Sequence, residues 1–169
     1  MSLRMMRRFP AHGAPPMHDA DDQRLIFGES LHRLMHAYQR AMRRALSDSG
    51  ITLSVGQTRV LKGAYFQAAP TVHVLAELMA TDRAQVTRIV GQLRRLGLVE
   101  SRPNPQDGRA PLIRCTVQGK AMIGPIIRLQ HQAGLLMSEG LSQADIEQFV
   151  FMAETMAENL NGSSTDEPT

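Results

Sequence analysis

Between Thr81 and Arg114 the chain gathers seven arginines (Arg83, Arg88, Arg94, Arg95, Arg102, Arg109 and Arg114) against three acids, Asp82, Glu100 and Asp107. The segment carries +4 on a chain whose formal charge is +3. A basic segment on a near-neutral body is the electrostatic footprint of a phosphate-backbone binder. Arg83, Gln85, Thr87 and Arg88 fall at spacings that put them on the outward side of one helix. In a major groove, arginine can pair bidentately with guanine and glutamine with adenine, while threonine suits a phosphate or a thymine methyl. Arg109 is a long cation at the end of a turn-rich stretch, a type of residue that a narrow, electronegative minor groove attracts. Asp107 is expected to hold it by an ion pair and a charged hydrogen bond. Thr71, as a helix cap, can offer its hydroxyl and nearby amides to a phosphate. Each has a plain alternative: a solvated helix face, an energetically idle loop ion pair, an ordinary cap. For Arg94 and Arg95 the solvated face is the expectation.

Other chemistry is thin. No phosphate loop, nucleophile elbow or metal-ligand cluster is present, so neither an enzyme nor a bound cofactor is expected. His32 and His36 stand at i,i+4, a chelating spacing, but the sequence offers no third ligand, so no metal is expected. Cys115 is the one cysteine; it excludes an intramolecular disulfide and suits a reducing cytoplasm. At a strand end it reads as a small buried hydrophobe rather than a redox sensor. No apolar run approaches the roughly 20 residues of a membrane span, so no membrane partner is expected.

These side chains need elements to position them. Residues 1–21 are rich in Met, Pro, His and Gly without periodicity and read as a flexible N-terminal arm. From Asp22 to Ser49, Phe27, Leu31, Leu34, Tyr38, Met42 and Ala45 mark one apolar helical face, ended by Gly50. Ser54 caps a helix stopped before Pro70; Thr71 caps a short one; Thr81 or Asp82 opens a third with Val86, Ile89, Val90 and Leu93 inward. Two short helices across a tight turn predict a helix-turn-helix. Leu98–Arg102 and Leu112–Cys115, separated by a run of turn formers, predict a β-hairpin wing. Thr116 and Ser142 cap two further helices, the last reaching Leu160. The fold class is thus mainly α with a small β-wing. Residues 50–115 form a winged helix-turn-helix lobe, 22–49 and 116–160 a helical dimerisation region, and 161–169 a polar tail. The long terminal stripes lack a monomer core to cover them, which predicts a homodimer.

In this order the chain resembles the MarR family of bacterial transcriptional regulators from about Asp22 to Leu160. The strings that carry the resemblance are Leu53-Ser54-Val55-Gly56-Gln57, Gln85-Val86-Thr87-Arg88, Leu96-Gly97-Leu98-Val99-Glu100, Asn104-Pro105-Gln106-Asp107-Gly108-Arg109 and Thr116-Val117-Gln118-Gly119-Lys120. The resemblance implies a homodimer on double-stranded palindromic operator DNA, usually a repressor. It also brings a small aromatic effector, held between the dimer helices and the DNA-binding lobe. The other reading of the residues is a non-specific DNA-binding or protein-interaction winged helix without an effector. Four positions depart from the family pattern. Ser101 replaces the usual arginine and Arg102 follows it, which sends the cation to the other face of the strand. Gly108 interrupts the wing tip, Cys115 takes a leucine position, and Gly124-Pro125 lies inside an expected helix, where proline removes a hydrogen bond and should kink it.

Overall fold

The computed structural model describes residues 19–162; residues 1–18 of the expected arm and 163–169 of the expected tail lie outside the described residues. The elements are α1 (Asp19–Asp48), α2 (Val55–Phe66), α3 (Val72–Leu78), α4 (Arg83–Arg95), β1 (Val99–Arg102), β2 (Leu112–Cys115), α5 (Val117–Met137) and α6 (Gln143–Gly162). Two differ from expectation at their ends. α1 begins at Asp19, three residues inside the expected arm, and α6 takes in Asn161 and Gly162 from the expected tail. Terminal helical turns carry little sequence signal, which is why such ends shift by a few residues. The chain divides into two compact units, residues 1–37 and 38–169.

In the first unit α1 runs helically with Leu25, Ile26, Phe27 and Leu31 exposed. In the second unit each helix of the lobe starts at a side chain that satisfies an orphan amide. Ser54 Oγ accepts from Gln57 N at 3.2 Å while Gln57 Oε1 accepts from Ser54 N at 2.8 Å, a reciprocal capping box. Thr71 Oγ1 accepts from Val74 N, Asp82 Oδ2 from Gln85 N, and Thr116 Oγ1 from Gly119 N. Ser142 and Asp145 bond reciprocally at the start of α6, which holds the Asp145 carboxyl below its ordinary range.

The core joins all elements of the lobe. Val60 and Leu61 of α2, Leu75 of α3, Val86 and Leu93 of α4, Ile113 of β2 and Ile126 of α5 are essentially inaccessible to solvent. The strands pair antiparallel with Val99 opposite Cys115, Glu100 opposite Arg114, Ser101 opposite Ile113 and Arg102 opposite Leu112. Val99 and Ile113 face the core, so Glu100, Arg102 and Arg114 share the outer face. The cation lies off the face of Ser101, as the alternation predicts. Ile113 N also donates to Pro70 O at 2.8 Å, which ties the wing to the α2–α3 connection. α5 is continuous through Pro125. α6 buries no residue.

The turn between α3 and α4 is tight. Ala80 takes φ 46° there, a left-handed conformation that costs a non-glycine residue roughly 1–2 kcal/mol. The hydrogen bonds Ala80 N to Glu77 O and Thr81 N to Ala76 O hold it, along with burial of Leu75, Ala76 and Met79.

At the other end of α4, Gly97 turns the chain with φ 70°, and α5 then crosses close above Leu98. A Cβ on Gly119 would stand 2.0 Å from Leu98 O, a backbone atom that no rotamer change can move. Gly119→Ala should therefore destabilise the fold by about 1–3 kcal/mol through overpacking, despite the better helix propensity of alanine. Urea denaturation checks this; equal or greater stability would show that α5 can slide without loss.

Cys115 ends β2, half-buried, with its Sγ 3.5 Å from Leu61 O. Burial pushes its thiol up from the ordinary value, and Lys120 only partly offsets this. The thiol therefore stays protonated at neutral pH, and thiolate is the reactive form. Labelling of the native protein by a maleimide or disulfide reagent at pH 7 should run at least about tenfold slower than after denaturation. It should accelerate as pH rises past the usual thiol range; labelling as fast as in denatured protein would refute this.

Candidate nucleic-acid interface

α4 is amphipathic in the sense a reading helix needs. Val86, Val90 and Leu93 are buried, while Arg83, Gln85, Thr87 and Arg88 are all exposed on the opposite side. Two polar contacts fix the helix in rotation and height. Asp82 caps its start, and Gln92 Oε1 accepts from Gln57 Nε2 at 3.0 Å, linking α4 to α2. Arg94 and Arg95 occupy the last turn, where cations complement the negative end of the helix dipole. Thr87 donates its hydroxyl to Arg83 O at 2.8 Å. Its proton is thus committed to the backbone, and what it offers outward is its methyl group.

The wing differs from expectation at its tip. Asp107 Oδ1 accepts from the backbone N–H of Arg109 at 2.9 Å, and Ala110 N donates to Asp107 O. Asp107 is therefore a turn former that shapes the chain around Arg109. No ion pair between Asp107 and the Arg109 guanidinium is found among the described residues. The correction has a local cause: an aspartate two residues before an amide closes an Asx turn, which directs its carboxylate to the backbone. The guanidinium is left exposed and uncompensated. Asn104 makes the same kind of turn with Gln106 N at 3.0 Å.

Thr71 accepts from Val74 N at 3.3 Å and keeps its hydroxyl proton to donate. All seven residues singled out in the sequence sit on elements of one core: Thr71 on α3's cap, four on α4, and Asp107 and Arg109 on the wing.

Like Gln57–Gln92, three more polar contacts are not among the expectations from the sequence. Arg102 Nε donates to Glu100 Oε1 at 2.8 Å on the outer face of the wing. Lys62 Nζ donates to Gln130 Oε1 at 2.5 Å, joining α2 to α5. Arg59 Nη2 donates to Met79 O at 3.2 Å, satisfying a carbonyl at the end of α3. The last two link residues far apart in the chain and have no sequence signal. The first lies within one strand at i,i+2, where alternation alone puts both side chains on one face.

A cleft of about 450 Å³ lies beside α5, lined by Ser49, Ile51, Met122, Pro125, Arg128, Leu129 and Gln132. Arg128 folds back along the helix over Gly124: its Nη1 lies 3.5 Å from where a Cβ there would stand. His32 and His36 are exposed on α1, and no group of three or more metal-ligating side chains occurs among the described residues. No helix among the described residues is long and apolar enough to cross a membrane.

Comparison with known proteins converges on this unit. A family profile described as the MarR family matches residues 49–110. The chain is 28% identical over 135 residues to the HTH-type transcriptional repressor IacR of Pseudomonas putida, covering 77% of each protein. A solved structure of a cysteine-to-serine mutant of MarR from Escherichia coli, complexed with operator DNA, superposes with a TM-score of 0.73 at 22% identity. That match spans 82% of this chain and 99% of the other. The structure of CouR from Rhodococcus jostii bound to p-coumaroyl-CoA superposes with a TM-score of 0.69 at 26% identity, over 78% of this chain and 91% of that one. The described fold is the winged-helix fold of these proteins, and residues 49–110 match the profile of the MarR family.

Proposed function

We propose that the chain is a sequence-specific DNA-binding transcriptional regulator of the cytoplasm, not an enzyme, acting as a homodimeric repressor on palindromic operators. The observation that carries this reading is α4: four exposed side chains, two of them arginines and one glutamine, stand on a helix whose other side is locked into the core. Arg83, Gln85 and Arg88 have the donors to read base edges in a major groove, and Thr87 presents a methyl suited to thymine. Arg109, exposed at the wing, supplies the minor-groove cation, with Asp107 shaping its loop. Thr71 donates its free hydroxyl proton to a phosphate.

Dimerisation is supported by the surface left over. α6 exposes Phe149, Val150, Phe151, Met152 and Leu160, and the end of α5 exposes Leu135, Leu136 and Met137. Apolar surface of that extent on a chain of this size marks an interface. Two-fold symmetry would set a pair of α4 helices about 34–36 Å apart, one turn of duplex. The domain roles follow: residues 50–115 read DNA, and 22–49 with 116–160 hold the partner. The cleft beside α5 pairs one guanidinium and one amide with apolar walls, which suits a small aromatic effector carrying a negative charge. The ligand-bound CouR and the repressor IacR favour this reading over a winged helix that binds DNA without sequence preference.

Selection of bound duplexes from a random pool, followed by a salt titration, tests the DNA reading. The expected outcome is a palindromic motif bound at least about a thousandfold tighter than random DNA at equal salt. Arg88→Ala should then cost about 1–3 kcal/mol on the motif and much less on random DNA. An equal loss on both would make Arg88 a phosphate contact. No enriched motif, with affinity collapsing as salt rises, would favour the non-specific reading. Sedimentation equilibrium tests the assembly: a dimer at micromolar concentration is expected, and a well-folded monomer there would refute it.

A further inference from the structure

The outer face of the wing carries a charge arrangement that DNA reading alone does not call for. Glu100 lies between two arginines on this face: Arg102 two residues along the same strand, and Arg114 directly opposite on β2. Glu100 Oε1 accepts from Arg102 Nε at 2.8 Å. Both side chains are open to solvent, at 60% for Arg102 and 41% for Glu100, so the pair is not part of the core. Arg102 is the last residue of β1, at the base of the loop that carries Arg109. A side chain as long as arginine placed there can reach the phosphates flanking whichever groove the tip enters. Bound to Glu100, it presents a compensated pair in place of a free cation.

We propose that Glu100 is a brake on phosphate binding: it tethers Arg102 to the wing and holds down the sequence-independent part of the affinity. The proposal deepens the DNA-binding reading and rests on it. The carboxylate acts in two ways. It occupies the Nε donor of Arg102, and it sets a negative charge where the duplex brings its own. The size of the effect is bounded by what exposed ion pairs are worth, which corresponds to about two- to fivefold in affinity. A brake of that size matters for a protein that must leave random DNA to find an operator, because non-specific binding is almost wholly electrostatic.

The test compares wild type, Glu100→Gln, Arg102→Ala and the double variant on a random-sequence duplex and on the selected operator, across a salt series. Glu100→Gln should tighten binding about two- to fivefold on both duplexes at low salt. Its affinity should also fall more steeply with salt, by a slope of about 0.9 for each further phosphate neutralised. In the Arg102→Ala background the same change should give a clearly smaller gain, the part that comes from removing the negative charge alone. Because the pair is exposed, circular dichroism melts of all four proteins should coincide within a few degrees, which keeps folding out of the comparison. Unchanged affinity in Glu100→Gln, or a gain that persists undiminished without Arg102, overturns the brake. Wild type that binds neither duplex overturns the DNA reading itself, and the two failures are thereby distinguished.

Discussion

Thr116 is the residue through which α4, the wing and α5 are joined. Its backbone N–H donates to Leu98 O at 3.1 Å, closing the hairpin at its base. Its hydroxyl donates to Gly97 O at 2.6 Å, capturing the chain just past the end of α4. The same hydroxyl oxygen accepts from Gly119 N at 3.1 Å and so caps α5. The carbonyl of Leu98 is also the atom against which Gly119 sits with no room for a Cβ. One residue thus holds three groups, two through its side chain and one through its backbone N–H, and a missing side chain lets two backbones approach. The positions of α4 and the wing relative to each other depend on that junction, since each is otherwise a short element with few residues in the core.

From the junction outward, rigidity falls off in an order that suits recognition. The core face of α4 is fully buried and the Gln57–Gln92 bond fixes the helix against α2. Its outward side chains are exposed, so they can change rotamer while their Cα positions stay fixed. The wing tip is held by local bonds only, the Asx turns of Asn104 and Asp107. Such a loop can shift with groove width at little cost, whereas shifting α4 would mean repacking Val86, Val90 and Leu93.

Much of this was legible in the sequence because it is local. Ser54, Thr71, Asp82, Thr116 and Ser142 announce their helices by residue type, and a cap is a bond to an amide two or three residues away. The inward and outward faces of α4 follow from period, and those of β1 from alternation. The expected Asp107–Arg109 ion pair gives way to a bond with the Arg109 amide for an instructive reason. Two residues of opposite charge at i,i+2 suggest an ion pair, but at that spacing in a turn the backbone amide is the nearer donor. Glu100 and Arg102 have the same spacing on a strand, where neighbouring amides are taken by the ladder, and there the side chains do meet. Identical spacing gives opposite outcomes because the backbone conformation decides which donor is free. Lys62–Gln130 and Arg59–Met79 needed the fold, since nothing in the chain marks residues 62 and 130 as neighbours.

The placement of the cleft constrains how any ligand could act. Five of its lining residues, Met122 to Gln132, lie on α5, and α5 begins at the Thr116 junction. A ligand changes DNA affinity only by binding two arrangements of the protein unequally, and tenfold regulation needs about 1.4 kcal/mol of that difference. The contacts along α2 are too well packed to yield gradually: Ile123 and Ile126 of α5 are buried against a core that includes Val60 and Leu61. Lys62–Gln130 is a polar link on the same pair of helices, part-buried and outside that apolar set. A small rotation of α5 would break or remake this bond before it cost the core a side chain. If the proposed effector acts through α5, an exchange of polar partners at its Lys62–Gln130 side costs less than repacking Ile123 and Ile126.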